Sequence, residues 1–332
     1  MKLSFVVPCY NEEAALNETA HRLTQLIDEL KAAGKIDSAT IWFVDDGSHD
    51  HTWSIIEGLA ARSPVFVGIK LSRNCGHQNA LLAGLLTADG DAVISLDADL
   101  QDDLNVVQQM IEAWHEGHDI VYGVRRSRPD DTWFKRWSAR RYYALLRRLG
   151  VDIVPDHADF RLLSREALQT LAHYPEANLF LRGLIPQLGS RSAQVFYDRQ
   201  ARVHGETKYP FRKMVGLALD GVTSFSAVPL RIIAALGAVI FVFSITVTVW
   251  IIFVRLFTSH AVPGWASTTL PIYALGGVQL LSLGVVGEYV AKIYLETKRR
   301  PRYLIERVTR ERRQGRRGGA QGLADPLMTE SR

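Results

Sequence analysis

The amino-acid sequence predicts an α/β protein: a mostly parallel sheet, then an amphipathic segment and two membrane-crossing helices. Three observations predict it. Short β-branched runs alternate with longer amphipathic stretches from residue 3 to about residue 123. Polar motifs fall where those runs end, which is where an open parallel sheet binds its ligands. The last third of the chain holds two long apolar segments, each sufficient for a bilayer span of about 20 residues.

The runs are Leu3–Val7, Ile41–Val44, Val65–Leu71, Ala92–Leu96 and Ile120–Gly123, and each reads as a strand. Between them, Ala14–Leu30, Trp53–Arg62, Gln78–Ala88 and Val106–Glu116 carry apolar residues near a helical period. Strand–helix alternation of this kind covers both faces of a sheet. The opening MKLSFVVPCYNEE stops its apolar stretch at Pro8 and turns acidic, so it reads as a first strand and not as a signal peptide. From Arg125 to Tyr209 the sequence mixes a basic helix (Trp133–Leu149), the segment DHADFRLLSREAL, a helical stretch near Leu179–Leu188 and a strand at Ser192–Tyr197. This region is expected to extend the same domain, residues 1–210, and to close one side of its cleft.

Residues 211–230 have a basic start and a mixed apolar face, as expected of an amphipathic helix on a membrane surface. Ile232–Val254 has no charge, and a second charge-free stretch lies between Arg255 and Glu288, broken early by Pro263 and Gly264. The expected spans are residues 231–256 and 267–291. Basic residues flank the pair on one side (Lys208, Arg212, Lys213 and Arg231 before; Lys292, Lys298, Arg299, Arg300 and Arg302 after), while Arg255 alone is near the far loop. That bias places both termini in the cytoplasm and the chain in the inner (plasma) membrane as a multi-pass protein. Gly276, Gly277 and Gly284 would offer packing faces for a homo-oligomer. Residues 292–332 form a basic tail, rich in Arg, Gly and Gln after Arg310 and expected to be disordered there.

Charge and cysteine usage exclude several classes. Lys plus Arg number 39 against 35 Asp plus Glu, and ten of the basic residues lie between Lys298 and Arg317, so the excess is a tail property. That tail lacks the interleaved aromatics of a nucleic-acid platform. Cys9 and Cys75 form no CxxC or Cys/His cluster, which fits a reduced cytosolic domain. Histidines 49, 51, 77, 157 and 204 have no zinc spacing.

The strongest chemical signal is ISLDADLQDD, residues 94–103. Strand alternation would point Asp97 and Asp99 to one side, with Gln101 continuing the series. Two carboxylates there make a hard oxygen site for Mg²⁺ or Mn²⁺, which commonly share their coordination with substrate phosphates. VVPCYNEE and FVDDGSHDHT end the first two strands, leaving Tyr10, Asn11, Glu12, Asp45 and Asp46 at the strand tips. A carboxylate at such a tip can accept a hydrogen bond from a base imide. The same turn also suits a simpler role, with Ser48 or Asp50 capping the next helix.

VVPCYNEE, then VDDGS, SRNCGHQNAL and DADLQD in that order resemble the family 2 inverting glycosyltransferases with the A-type nucleotide-sugar fold. ADFRLLSR, NLFLRG, RQARVHGETKY, TSFSAVPLRI and the two expected spans narrow the resemblance to polyprenyl-phosphate glycosyltransferases, and within them to bactoprenol glucosyltransferases. The resemblance covers about residues 1–300. It implies that Pro8, Tyr10, Glu12 and Asp46 contact the nucleoside of a nucleotide-sugar donor, UDP-glucose ahead of GDP-mannose, UDP-galactose or a UDP-aminoarabinose derivative, and that Asp97, Asp99 and Gln101 hold the metal and diphosphate. It implies that Arg125 meets phosphate, that Arg202 and Lys208 bind the donor diphosphate or the polyprenyl-phosphate acceptor, and that Asp159 is the catalytic base. A lipid phosphate, however, is mostly ionised at neutral pH and needs little help from a base. Asp159 could equally orient the acceptor, touch the sugar or pair with Arg161. A processive polysaccharide synthase would need more spans and a QxxRW motif, which the sequence lacks. A non-catalytic membrane scaffold would not need the metal residues or the RQARVHGETKY segment.

Overall fold

The computed structural model describes residues 1–126, 157–176, 179–198, 228–257 and 265–309. Strands β1 (Lys2–Cys9), β2 (Ser38–Asp45), β3 (Phe66–Leu71) and β4 (Ala92–Ser95) are parallel and lie in the order β4-β1-β2-β3. The chain moves outward from β1 through β2 to β3, then crosses back to place β4 on the other side of β1. The carboxyl ends of β1 and β4 therefore flank a topological switch point, where open α/β sheets form their ligand crevice. Strands β5 (Ile120–Arg125) and β7 (Ser192–Tyr197) pair in parallel, and β6 (His157–Ser164) lies antiparallel between β4 and β5. A last strand, β8 (Ile305–Val308), runs antiparallel along the free edge of β3.

Both faces of the sheet are covered. Along β1, Leu3, Phe5 and Val7 pack with Leu16, Leu23 and Ile27 of α1 (Leu16–Ala32), whereas Val6 points the other way. On that second face it joins Leu81, Leu82 and Leu85 of α3 (His77–Thr87). Each such Leu, Ile or Val, withdrawn from water, contributes roughly 1.5–3 kcal/mol relative to exposure. Helix α3 comes unusually close to the sheet because of Gly84. A Cβ there would lie 2.3 Å from Val6 Cγ1 and 2.8 Å from Val44 Cγ2. Helices α2 (Thr52–Arg62) and α4 (Val107–His115) complete the βα units.

The five expected strands and four expected helices of the first 123 residues all form, with ends shifted by a few residues. Pro8 does not end β1 but sits inside it, opposite Val44. The pairing of β1 with β4 stops at Val6 opposite Ser95, so Pro8 lies beyond its neighbour on that side and its missing N–H leaves no gap in that ladder. DHADFRLLSREAL becomes β6 followed by α5 (Arg165–Ala172), whose start is capped where the Ser164 hydroxyl accepts from Ala167 N–H at 3.1 Å. The helical stretch near Leu179–Leu188 is a single α-turn, α6 (Leu181–Leu184), continued by a 3₁₀ turn over Ile185–Leu188.

Two long helices follow, α7 (Val228–Phe257) and α8 (Trp265–Thr297), around the expected 231–256 and 267–291. Their 30 and 33 residues exceed the bilayer requirement. Among the described residues, Val278–Thr297 is long and apolar enough to cross a membrane, with mean hydropathy 1.3 and no burial, and Leu230–Ile240 is a shorter apolar stretch. Val242, Phe243, Trp250 and Phe253 on α7 and Leu280, Leu283 and Val290 on α8 are exposed. Contiguous apolar exposure of this kind marks an interaction surface. The expected helix Trp133–Leu149, residues Arg202 and Lys208, positions 211–227 of the amphipathic segment and the tail beyond residue 309 lie outside the described residues.

Candidate active site

The loops after β1, β2, β3 and β4 converge on a cleft of about 620 Å³. Its walls are built by cross-bracing between loops. Asn11, in the left-handed region at φ 55°, donates its N–H to Ser48 Oγ at 3.0 Å, and its own Oδ1 accepts from His49 N–H at 2.9 Å. Glu12 N–H donates to Thr52 Oγ1 at 2.9 Å. The β1 and β2 loops are thus one unit. The third loop is attached through Asp46, whose two carboxylate oxygens accept from Cys75 N–H at 2.7 Å and Gly76 N–H at 2.9 Å. Gly47 is required at this junction: it has φ 70°, and a Cβ would lie 2.6 Å from the Asn74 nitrogen.

Of the residues singled out in the sequence, Pro8, Tyr10, Glu12, Asp46, Asp97, Asp99 and Asp159 line the cleft. Tyr10 is exposed and meets the His49 ring edge-on. Asp46 is 2% exposed and already holds the third loop, so its main visible work is to shape the wall. Gln101 and Arg125 are not among the lining residues. The strand series Asp97, Asp99, Gln101 is interrupted because β4 ends at Ser95 and Leu100 turns left-handed at φ 49°, which sends Gln101 into the interior at 2% exposure. Arg125 is drawn to the buried Asp102, with Nη2 3.1 Å from Oδ1, and its Nε donates to Tyr197 Oη at 3.1 Å. The Tyr197 hydroxyl donates to the same Asp102 oxygen.

Asp97 stands where burial and surrounding charge act together. Burial pushes its carboxyl up, Asp102, Asp159 and Asp99 push it further and His77 opposes them, so that it titrates at about 6. Two hard oxygen donors in a pocket crowded with negative charge fit a divalent cation, which would relieve that crowding.

His77 and Arg182, to which the motifs gave no role, complete the site around Asp159. Asp159, 6% exposed on β6, is held by Arg161 and by Arg182, whose Nη2 lies 3.1 Å from Oδ2 and whose Nε lies 3.4 Å from Oδ1. His77 Nε2 bridges the two acidic positions, 3.5 Å from Asp97 Oδ1 and 3.4 Å from Asp159 Oδ2. Burial alone would raise the Asp159 carboxyl, but the His77 hydrogen bond and the two guanidinium charges override it and hold it well below the usual range. Asn74, Gln78 and Phe180 also line the cleft. His77 and Arg182 sat inside SRNCGHQNAL and NLFLRG, where the available signals were a histidine in the polar loop after β3 and a lone cation closing a short apolar run.

The glycosyl transferase family 2 model matches residues 4–172, the stretch that contains these loops and the Asp97, Asp99 and Asp159 positions. The chain belongs to this family. Full-length relatives agree with the assignment. The uncharacterized glycosyltransferase YkoT of Bacillus subtilis (strain 168) is 48% identical over 92% of this chain and 91% of its own. The bactoprenol glucosyl transferase of Shigella phage SfX is 40% identical over 92% and 99%, and the prophage bactoprenol glucosyl transferase homolog of Escherichia coli (strain K12) is 39% identical over 93% and 99%. This family 2 glycosyltransferase therefore shares with bactoprenol glucosyl transferases both its catalytic-domain sequence and the length that carries α7 and α8.

Proposed function

We propose that the chain transfers a hexose, glucose from UDP-glucose, to polyprenyl phosphate at the cytoplasmic face of the inner membrane, inverting the anomeric carbon. The observation that carries this reading is the cleft that brings a carboxylate pair, Asp97 and Asp99, next to the His77 imidazole and the Arg182 guanidinium, at the switch point of the sheet. The names of the full-length relatives support the acceptor. Pro8, Tyr10, Glu12 and the loop held by Asp46 would receive the nucleoside. Asp97 and Asp99 would hold Mg²⁺ or Mn²⁺, which when bound neutralises charge on the departing diphosphate.

The acceptor phosphate, already ionised near neutral pH, is nucleophilic as it stands. Asp159 fits this reading as a brace, because a carboxylate held well below the usual range accepts protons poorly. Helices α7 and α8 would keep the cleft at the leaflet where the lipid headgroup lies. Arg202 and Lys208 would add positive charge on the approach.

The test uses the full-length protein in detergent or vesicles with labelled UDP-glucose, polyprenyl phosphate and Mn²⁺ or Mg²⁺. Labelled lipid-phosphate sugar is the expected product. Absence of lipid-linked label across a panel of UDP- and GDP-sugars would overturn the proposal. Asp99→Ala is expected to remove transfer while the protein stays folded in the membrane, and normal turnover in that variant would sink the metal assignment.

A further inference from the structure

The geometry points to Arg182 as the seat of the acceptor's phosphate, braced by Asp159 and separated from the donor's diphosphate by His77. This rests on the proposed reaction and gives it a second anion site.

Charge balance comes first. Asp159 is one carboxylate between two guanidiniums, Arg161 and Arg182. Arg161 is fully buried, whereas the Arg182 side chain is 39% exposed and lines the cleft. The surplus positive charge of this cluster therefore reaches the cleft through Arg182.

Its shape is suited to an oxyanion. Arg182 meets Asp159 side-on, through Nε and Nη2. This leaves the end-on edge, Nη1 with the second hydrogen of Nη2, as a fork for two oxygens of a phosphate. The platform is also fixed: Leu181 N–H donates to Gln78 Oε1 at 3.0 Å, which ties the start of α6 to α3.

Position then separates acceptor from donor. Arg182 belongs to the segment after β6, while the loops assigned to the nucleoside follow β1 and β2. His77 Nε2 meets both groups, 3.5 Å from Asp97 Oδ1 and 3.4 Å from Asp159 Oδ2, so the imidazole stands at their junction. Inversion needs the incoming and departing oxygens on opposite sides of the anomeric carbon. With the diphosphate at Asp97 and Asp99, the incoming phosphate belongs across His77, at Arg182. In the step itself, a phosphate oxygen forms the new bond to the anomeric carbon. The bond from that carbon to the nucleotide's diphosphate oxygen breaks, and its electron pair leaves with the diphosphate. No proton has to move.

The experiment measures, on full-length wild type and Arg182→Gln, the Kd of geranyl phosphate in the presence of UDP and Mn²⁺, the Kd of UDP, and KM and kcat with polyprenyl phosphate. Losing a charge-assisted pair is expected to raise both the geranyl phosphate Kd and the polyprenyl phosphate KM about ten- to a hundredfold, with kcat and the UDP Kd changed far less. An unchanged geranyl phosphate Kd overturns the inference, and so does a UDP Kd that rises by the same factor, which would move Arg182 to the donor. If the Gln variant does not fold, Arg182→Lys keeps a charge beside Asp159 but lacks the second fork. It is expected to show the same rise in KM, and an unchanged KM overturns the inference. Wild-type protein that transfers no sugar to polyprenyl phosphate refutes the proposed reaction, whereas the geranyl phosphate titration reads the Arg182 site independently of turnover.

Discussion

A carboxylate caught between two guanidiniums and an imidazole serves better as an anchor than as a base, and Asp159 shows why. Arg161 is fully buried, and among the described residues its Nε and Nη1 have no hydrogen-bond partner, so Asp159 is the group that balances it. Asp159→Asn would leave that charge uncompensated and should cost about 3–5 kcal/mol at neutral pH, read from the unfolding midpoint of the full-length protein. The sign with pH follows from the depressed carboxyl. Its stabilisation is complete above the unfolded value near 3.9 and is lost as pH falls towards the folded value, so the gap between wild type and variant should close only in strong acid. Asp97 is the opposite case. Its carboxyl, raised to about 6, makes folding less favourable as pH climbs from about 4 to about 6, and the penalty stays constant above that. Asp97→Asn should therefore raise the melting temperature at pH 7.5 while removing transfer, an exchange of stability for function. Asp97 and Asp99 were legible in the sequence because the chemistry sits within three residues just past a strand end. The partnership of Asp159 with Arg182, 23 residues apart, was not, because it depends on how two segments meet in space.

At the level of elements, the approach of α3 to the sheet decides how the third loop reaches the cleft. Gly84 sets that distance, and Gly84→Ala should destabilise by about 1–3 kcal/mol through overpacking against Val6 and Val44, seen as a lower melting temperature. The strands β1 to β5 were readable because each is a compact β-branched run. Strand β6 was harder to recognise, since His157, Asp159 and Arg161 give it the polarity of a loop. Those charges are tolerated inside the sheet because Asp159 and Arg161 pair in charge, through one hydrogen bond from Arg161 Nη2. Strand β8 was hidden for a different reason. It is four residues long, half of them charged, which is how an edge strand normally looks.

Across the whole molecule, the chain leaves the catalytic domain, forms two long apolar helices and returns to it. The return is secured at several points: Arg302 donates to the Tyr174 carbonyl at 2.7 Å, Ser72 N–H donates to the Leu304 carbonyl at 3.0 Å, and Gly68 and Thr309 exchange hydrogen bonds. Ending the chain after Arg300 should therefore lower the melting temperature and promote aggregation in size-exclusion chromatography, because the edge of β3 would lie open. The surface pair Lys70–Glu306, by contrast, should contribute under 1 kcal/mol. The same strand also sets an order in time. Glu306 lies 236 residues beyond the Lys70 it meets, with both long helices between them. At about 5–20 residues per second, a ribosome needs roughly 12–50 seconds to make that interval. For all of it the nascent sheet has a bare edge, so the catalytic domain reaches its final form only after the helices behind it have been synthesised.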